Sequence, residues 1–147
     1  NEVFSFPFCV MTGEGSFDLS EQERTNLRKY LEGGGFLLAS AGCSSKQWDT
    51  AFRREVSLVF PGRELTPLPA NHPAYRAIYE VGSMISHHGG EVAPLLGLEL
   101  NGKTVIIFSP DGLNDTSSMF GCCCSGGNEI ENSRQINANI LAYALMQ

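Results

Sequence analysis

Long apolar runs are missing from this sequence, and so is any surplus of positive charge. No stretch approaches the roughly 20 apolar residues that cross a bilayer, so no membrane span is expected in the chain. Its 147 residues hold 10 Lys and Arg against 16 Asp and Glu, a formal net charge of -6. The basic residues are scattered, and the densest pairs, Arg28-Lys29 and Arg53-Arg54, fall on predicted helices that also carry Glu. A duplex or an anionic membrane surface meets a clustered basic face, so no nucleic-acid partner is expected. Also absent are a C-x-x-C pair, a P-loop, a G-x-G-x-x-G turn, an internal repeat and a low-complexity tract. Cysteine occurs five times, and an odd count excludes a complete intramolecular disulfide framework.

What is present is an ordinary globular composition, 42% hydrophobic and 18% charged, enough for a single α/β domain over residues 1–147 with its own core. The chain opens at Asn1 with no charged-then-apolar leader and reads as a domain excised from a longer protein. "VFSFPFCVMTG" (Val3 to Gly13) is rich in β-branched and aromatic residues and reads as a strand, with Pro7 giving it an irregular or edge beginning. Ser20 and Glu23 form an S-x-x-E capping box ahead of a helix that Gly33-Gly34-Gly35 ends. "FLLAS" (Phe36 to Ser40) is continuous and apolar, as a strand buried on both faces would be.

Ser44 and Gln47 suggest a second capping box, and Trp48, Phe52, Val56, Val59 and Phe60 mark the inward stripe of the next helix. Strand, helix, strand, helix implies parallel strands joined by crossovers. Three prolines break up the middle, where a short helical stretch is expected around Tyr75 to Tyr79. Asn101-Gly102 between apolar runs predicts a two-residue hairpin with arms Leu96–Leu100 and Thr104–Ser109. The C-terminal helix is expected to start at Asn128 as its cap and to bury Ile136, Ile140, Tyr143 and Ala144.

The phrases "TGEGSFDLSEQERTNLRKYLEGGGFLLAS", "FPGRELTPLPANHPAY", "GLELNGKTVIIFSPDGL" and "INANILAYAL" resemble a bacterial domain-of-unknown-function family (number 4159) with a class I glutamine amidotransferase-like fold. The resemblance runs from about Phe6 to the C-terminus. It implies a flavodoxin-like three-layer sandwich with a mainly parallel sheet, to which the hairpin adds a C-terminal antiparallel piece. It also implies a place at the end of a larger cell-envelope protein, hence a cell-envelope or periplasmic location, and it supplies no activity. The fold normally has a strand–helix unit before the strand placed first here. Its amidotransferase members carry a G-x-C-x-G nucleophile elbow, and around Cys43 this chain has Ala41 and Ser45 in the glycine positions.

Cys43 is the sharpest single candidate. Between a buried strand and a helix start, its thiol would see the positive end of a helix dipole, which favours thiolate. A thiolate nucleophile needs a base. "SHHGGE" offers His87 or His88, with Glu91 to orient the ring. In extended chain Cys122 and Cys124 point one way and Cys123 the other. Three readings stand for these thiols. With Cys43 and His87 or His88, Cys122 and Cys124 would make a tetrahedral zinc set. One of the three could pair with Cys9 or Cys43. Or all three are small hydrophobes packing a loop on the sheet, the reading preferred here. Ligand-binding candidates are Gly13 and Ser44 at strand ends, Asp111 in "SPDGLND", and Gly126, Gly127 and Asn128, whose backbone N–H groups could meet an anion.

Three functions follow. The first is a non-catalytic module that binds a small ligand or other domains of the parent protein, with no cofactor. The second is a thiol-dependent hydrolase or amidotransferase-like enzyme using Cys43. The third is a zinc-binding domain using Cys122 and Cys124. An uncovered sheet edge would also allow a homodimer.

Overall fold

A computed structural model describes residues 2–87, 89–114 and 129–147. Five strands form one sheet in the order β1-β2-β5-β4-β3. They are β1 (Phe8–Gly13), β2 (Phe36–Ala41), β3 (Thr66–Pro67), β4 (Leu96–Leu100) and β5 (Lys103–Ser109). Three helices complete the fold: α1 (Glu21–Glu32), α2 (Lys46–Val59) and α3 (Ser133–Leu145).

β2 organises the sheet. All six of its residues are buried, and it pairs in parallel with β1 (Phe8 opposite Phe36) and with β5 (Leu37 opposite Ile106). Alternation then divides its side chains between two cores. Leu37, Ala39 and Ala41 face α1 and α2, among Leu31, Trp48, Phe52, Val56 and Phe108. Phe36 and Leu38 face α3, among Leu95, Ile107, Ile130, Ile136 and Ile140. Aromatic contacts fill the first core: Trp48 stacks on Phe52 at 5.1 Å, and Phe52 lies 4.8 Å from Phe108.

The sheet is mixed, which corrects the expectation of a mainly parallel one. β4 runs antiparallel to β5, and β3 antiparallel to β4. Asn101 and Gly102 make the β4–β5 turn with φ values of 52° and 77°, the left-handed pair that a two-residue hairpin of this twist requires. That tight connection makes the β4–β5 pairing antiparallel. The first strand is also shorter than expected. Glu2–Ser5 form a 3-10 turn, and extended pairing begins after Pro7.

The α1 cap follows its sequence signature, with Ser20 accepting from the Glu23 N–H and the Glu23 side chain reaching back. The α2 cap is Ser45, one residue beyond the expected Ser44, and its side chain accepts from the Trp48 N–H. In place of a helix around Tyr75 to Tyr79 there is a 3-10 turn at Pro73–Tyr75, with His72 as its cap. Asn132, not Asn128, is the N-cap of α3, and its side chain bonds the Ile85 N–H and the Ser83 carbonyl instead of its own helix.

Two polar ties join neighbouring elements within each face of the sheet. Glu55 on α2 is 2% exposed and receives Arg24 Nε at 2.7 Å and Nη2 at 3.1 Å from α1. That guanidinium holds the Glu55 carboxyl below the usual carboxylate range. The resulting stability is present above that range and is lost as pH falls through the folded value. On the opposite face, the fully buried Asn139 of α3 accepts from the N–H groups of Ile78 and Tyr79 and donates to the Tyr79 carbonyl, all at 2.8 Å. Removing it strands three backbone groups. Asn139→Ala is therefore expected to lower unfolding stability by about 2 kcal/mol in urea titration, since the Ile78 and Tyr79 bonds are part-buried and an unpaired group costs about 1–3 kcal/mol where water does not replace its partner. An effect below about 1 kcal/mol would show that water replaces the amide.

Candidate functional site

Because β1, β2 and β5 run parallel, their carboxyl ends reach the same edge of the sheet. Open α/β folds place their ligands at such an edge. Three turns meet there: Glu14-Gly15 after β1, Gly42–Ser44 after β2, and Pro110 to Asn114 after β5. The segment from Glu129 to Glu131 joins them, and so does the segment from Ile85 to His87, which it pairs through a bridge between Ser86 and Ile130.

The β2 turn is the unusual one. Cys43 has φ 49° and Ser44 has φ 53°, two consecutive non-glycine residues in the left-handed region. Such backbone costs about 1–2 kcal/mol per residue and persists only where neighbours enforce it. The neighbours are visible. The Cys43 N–H donates to Glu129 Oε1 at 3.2 Å, and the Cys43 thiol donates to Glu14 Oε1 at 3.3 Å. The Ser44 hydroxyl donates to the Asp111 carbonyl at 2.6 Å. Ser45 Oγ accepts from the Gly15 N–H at 3.1 Å as well as from Trp48. One short turn is thus tied to the β1 turn, the β5 turn and Glu129 in the segment ahead of α3.

Buried serines satisfy the β5 turn. Ser109 Oγ accepts from the Gly112 N–H at 3.0 Å, and Ser40 Oγ from the Leu113 N–H at 2.8 Å. Asp111 is nearly buried, and its Oδ2 accepts from the Ala93 N–H at 2.5 Å. Gly112 has φ 102°, and a Cβ there would lie 2.5 Å from the Ala41 carbonyl oxygen. Only glycine fits.

A family match covers residues 1–145, nearly the whole chain. The chain belongs to the domain-of-unknown-function family DUF4159. No curated protein matches it. In this DUF4159 domain Cys43 does lie between β2 and α2, as its sequence context implied, but two residues ahead of the helix cap. Among the described residues its thiol donates to the Glu14 carboxylate. His87 joins the site through its main chain, its N–H donating to the Glu129 carbonyl at 2.9 Å. Glu91 is exposed on the same segment. Gly13 ends β1 against Trp48, where a Cβ would come within 2.8 Å of the indole Nε1, so packing accounts for it. Ser44 and Asp111 are joined to each other.

His88, Cys122, Cys124, Gly126, Gly127 and Asn128 lie outside the described residues of the DUF4159 domain. Among the described residues no group of three or more His, Cys, Asp or Glu is arranged to hold a metal ion. Cys9 carries a free thiol, so the disulfide reading is not realised there. Among the described residues no helix is long and apolar enough to cross a membrane.

Sequence reasoning missed Glu14 and Glu129. Glu14 carried a signal, since it immediately follows a strand that was read correctly at its carboxyl end. Glu129 carried none, because its contact with Cys43 spans 86 residues of chain. The web around Gly112 makes a direct prediction. Gly112→Ala should cost about 2 kcal/mol or more in thermal or urea unfolding, from the left-handed φ and the displaced Ala41 carbonyl together. A cost within about 0.5 kcal/mol, ordinary for a surface substitution, would mean that this turn is pliable.

Proposed function

We propose that this domain is a non-catalytic ligand-binding module of a larger cell-envelope protein, with the carboxyl-edge turns around Cys43, Ser44 and Asp111 as its recognition surface. The observation that carries the reading is the consecutive left-handed pair Cys43 and Ser44, clamped from three sides. Stored backbone strain concentrates at ligand clamps and active sites. Between those two, the bonding of Cys43 favours the clamp. The thiol donates to Glu14 and the Cys43 N–H donates to Glu129, so both groups are engaged in holding the turn. The turn is held in shape by bonds to three neighbouring segments.

The module reading extends to the fold and partners. The parallel trio β1, β2 and β5, with helices on both faces, is consistent with an amidotransferase-like, flavodoxin-like ancestry in which the hairpin and β3 extend the sheet. Its partners are a small ligand or neighbouring domains of the parent protein.

One observation supports a second reading, a thiol-dependent hydrolase. A cysteine at positive φ between a strand and a helix has the form of a nucleophile elbow, and His87 is tied through its main chain to the glutamate that caps this cysteine. Alkylation separates the two. On the module reading, iodoacetamide labels Cys43 at pH 7 no faster than an ordinary exposed thiol, read by peptide mass spectrometry, and Glu14→Gln speeds it about three- to tenfold. Rapid labelling of the unaltered protein, with an apparent thiol pKa well below about 8.5, would replace the module with the enzyme.

A further inference from the structure

His72 is buried, and both of its ring nitrogens are engaged. Nδ1 accepts from the Ala74 N–H at 3.0 Å, and Nε2 lies 3.1 Å from Thr104 Oγ1. An N–H can only donate, so Nδ1 must be bare and Nε2 must carry the proton, donating to the Thr104 hydroxyl. The ring also meets Tyr143 of α3 edge-on at 4.8 Å, and the Tyr143 hydroxyl accepts from the Thr104 N–H at 3.2 Å. One neutral imidazole therefore joins the segment after β3 to β5 and α3.

That segment walls a groove of about 340 Å³ lined by Leu68, Ala70, Tyr75, Val81, Met84 and Val92, among others. His72 fixes the wall. Its cap sets the 3-10 turn at Pro73–Tyr75, which places Tyr75, and the Tyr75 carbonyl in turn accepts from the Val81 N–H at 2.8 Å.

We propose that His72 is an acid-released latch: its neutral ring holds the 69–81 wall of the groove in place, and protonation lets that wall go. An imidazolium carries N–H at both positions, so Nδ1–H would point at the buried Ala74 N–H with no acceptor between them. The groups around the ring do not compensate. β5 presents an uncharged hydroxyl, α3 a neutral phenol and its own turn a backbone donor. Glu99 on β4 is the acidic group that favours the cation, and burial outweighs it, leaving the His72 value below the ordinary one. The latch is closed above the ordinary histidine value of about 6.5 and opens progressively as pH falls below it.

Amide exchange followed by NMR tests this. After correction for intrinsic rates, the amides of Ala74, Ala77 and Val81 are expected to exchange about tenfold faster at pH 5.5 than at pH 7.5. Those of Leu38 and Ala39 in β2 should not change. In His72→Gln, whose carboxamide accepts and donates but does not titrate, the ratio should be near one. A ratio near one in the unaltered protein, the same rise in the glutamine variant, or an equal rise in β2 overturns the proposal. Should the variant fail to fold, imidazole nitrogen shifts in the unaltered protein decide. The latch requires a protonated Nε2 and a bare Nδ1 at pH 7.5, with segment exchange rising as pH falls below about 6.5 and the closed-state ring itself protonating only at lower pH. The opposite tautomer, or a ring that titrates without any change in exchange, overturns it.

Discussion

Everything at the carboxyl edge depends on β2 being paired in parallel on both sides. A strand with six buried residues and neighbours running the same way on each flank delivers three turns to one end of the sheet. Were β5 antiparallel to β2, Asp111 and Gly112 would lie at the opposite edge, and Ser44 would have no carbonyl to meet. The parallel trio is a local arrangement inside a mixed sheet. It is completed by β4 and by the two-residue edge strand β3, neither of which supplies a residue to the site.

Polar residues in apolar places do the remaining work. Ser40 and Ser109 sit on buried strands because the loop N–H groups above them need acceptors. Glu129, 4% exposed, holds Cys43 with its carboxylate and His87 with its carbonyl. Asn132 and Asn139 of α3 do the same for the irregular middle segment, which builds almost no ladder of its own. Each of these side chains supplies what regular secondary structure would otherwise supply. The left-handed turn survives among them because the surrounding bonds are strong enough to enforce it.

The legible parts of the sequence were those governed by short-range rules. The capping box at Ser20, the Asn101-Gly102 turn and the apolar run of β2 each express their structure within a few residues. The position of Cys43 followed from two of these rules meeting. Failures occurred where a local signal was diverted to a distant partner. Ser44 lost its capping role because its hydroxyl went to Asp111. The cap of α3 fell at Asn132, whose side chain serves Ser83 and Ile85. The proline-rich middle gave no periodicity to read, since its geometry is imposed by α3 and by His72. Glu14 and Glu129 became site residues only through contacts across 29 and 86 positions.

The claim on which this account rests is that the turn at Cys43 stores strain on behalf of a shaped surface. Thermal unfolding of Cys43→Gly against Cys43→Ala tests it most directly, because both lose the thiol and differ only by the β-methyl, which sets tolerance of positive φ against backbone entropy. The glycine variant is expected to be the more stable by about 1 kcal/mol, the relief of a left-handed residue. The reverse order, with glycine paying its usual entropic cost of about 0.5–1 kcal/mol, would contradict it.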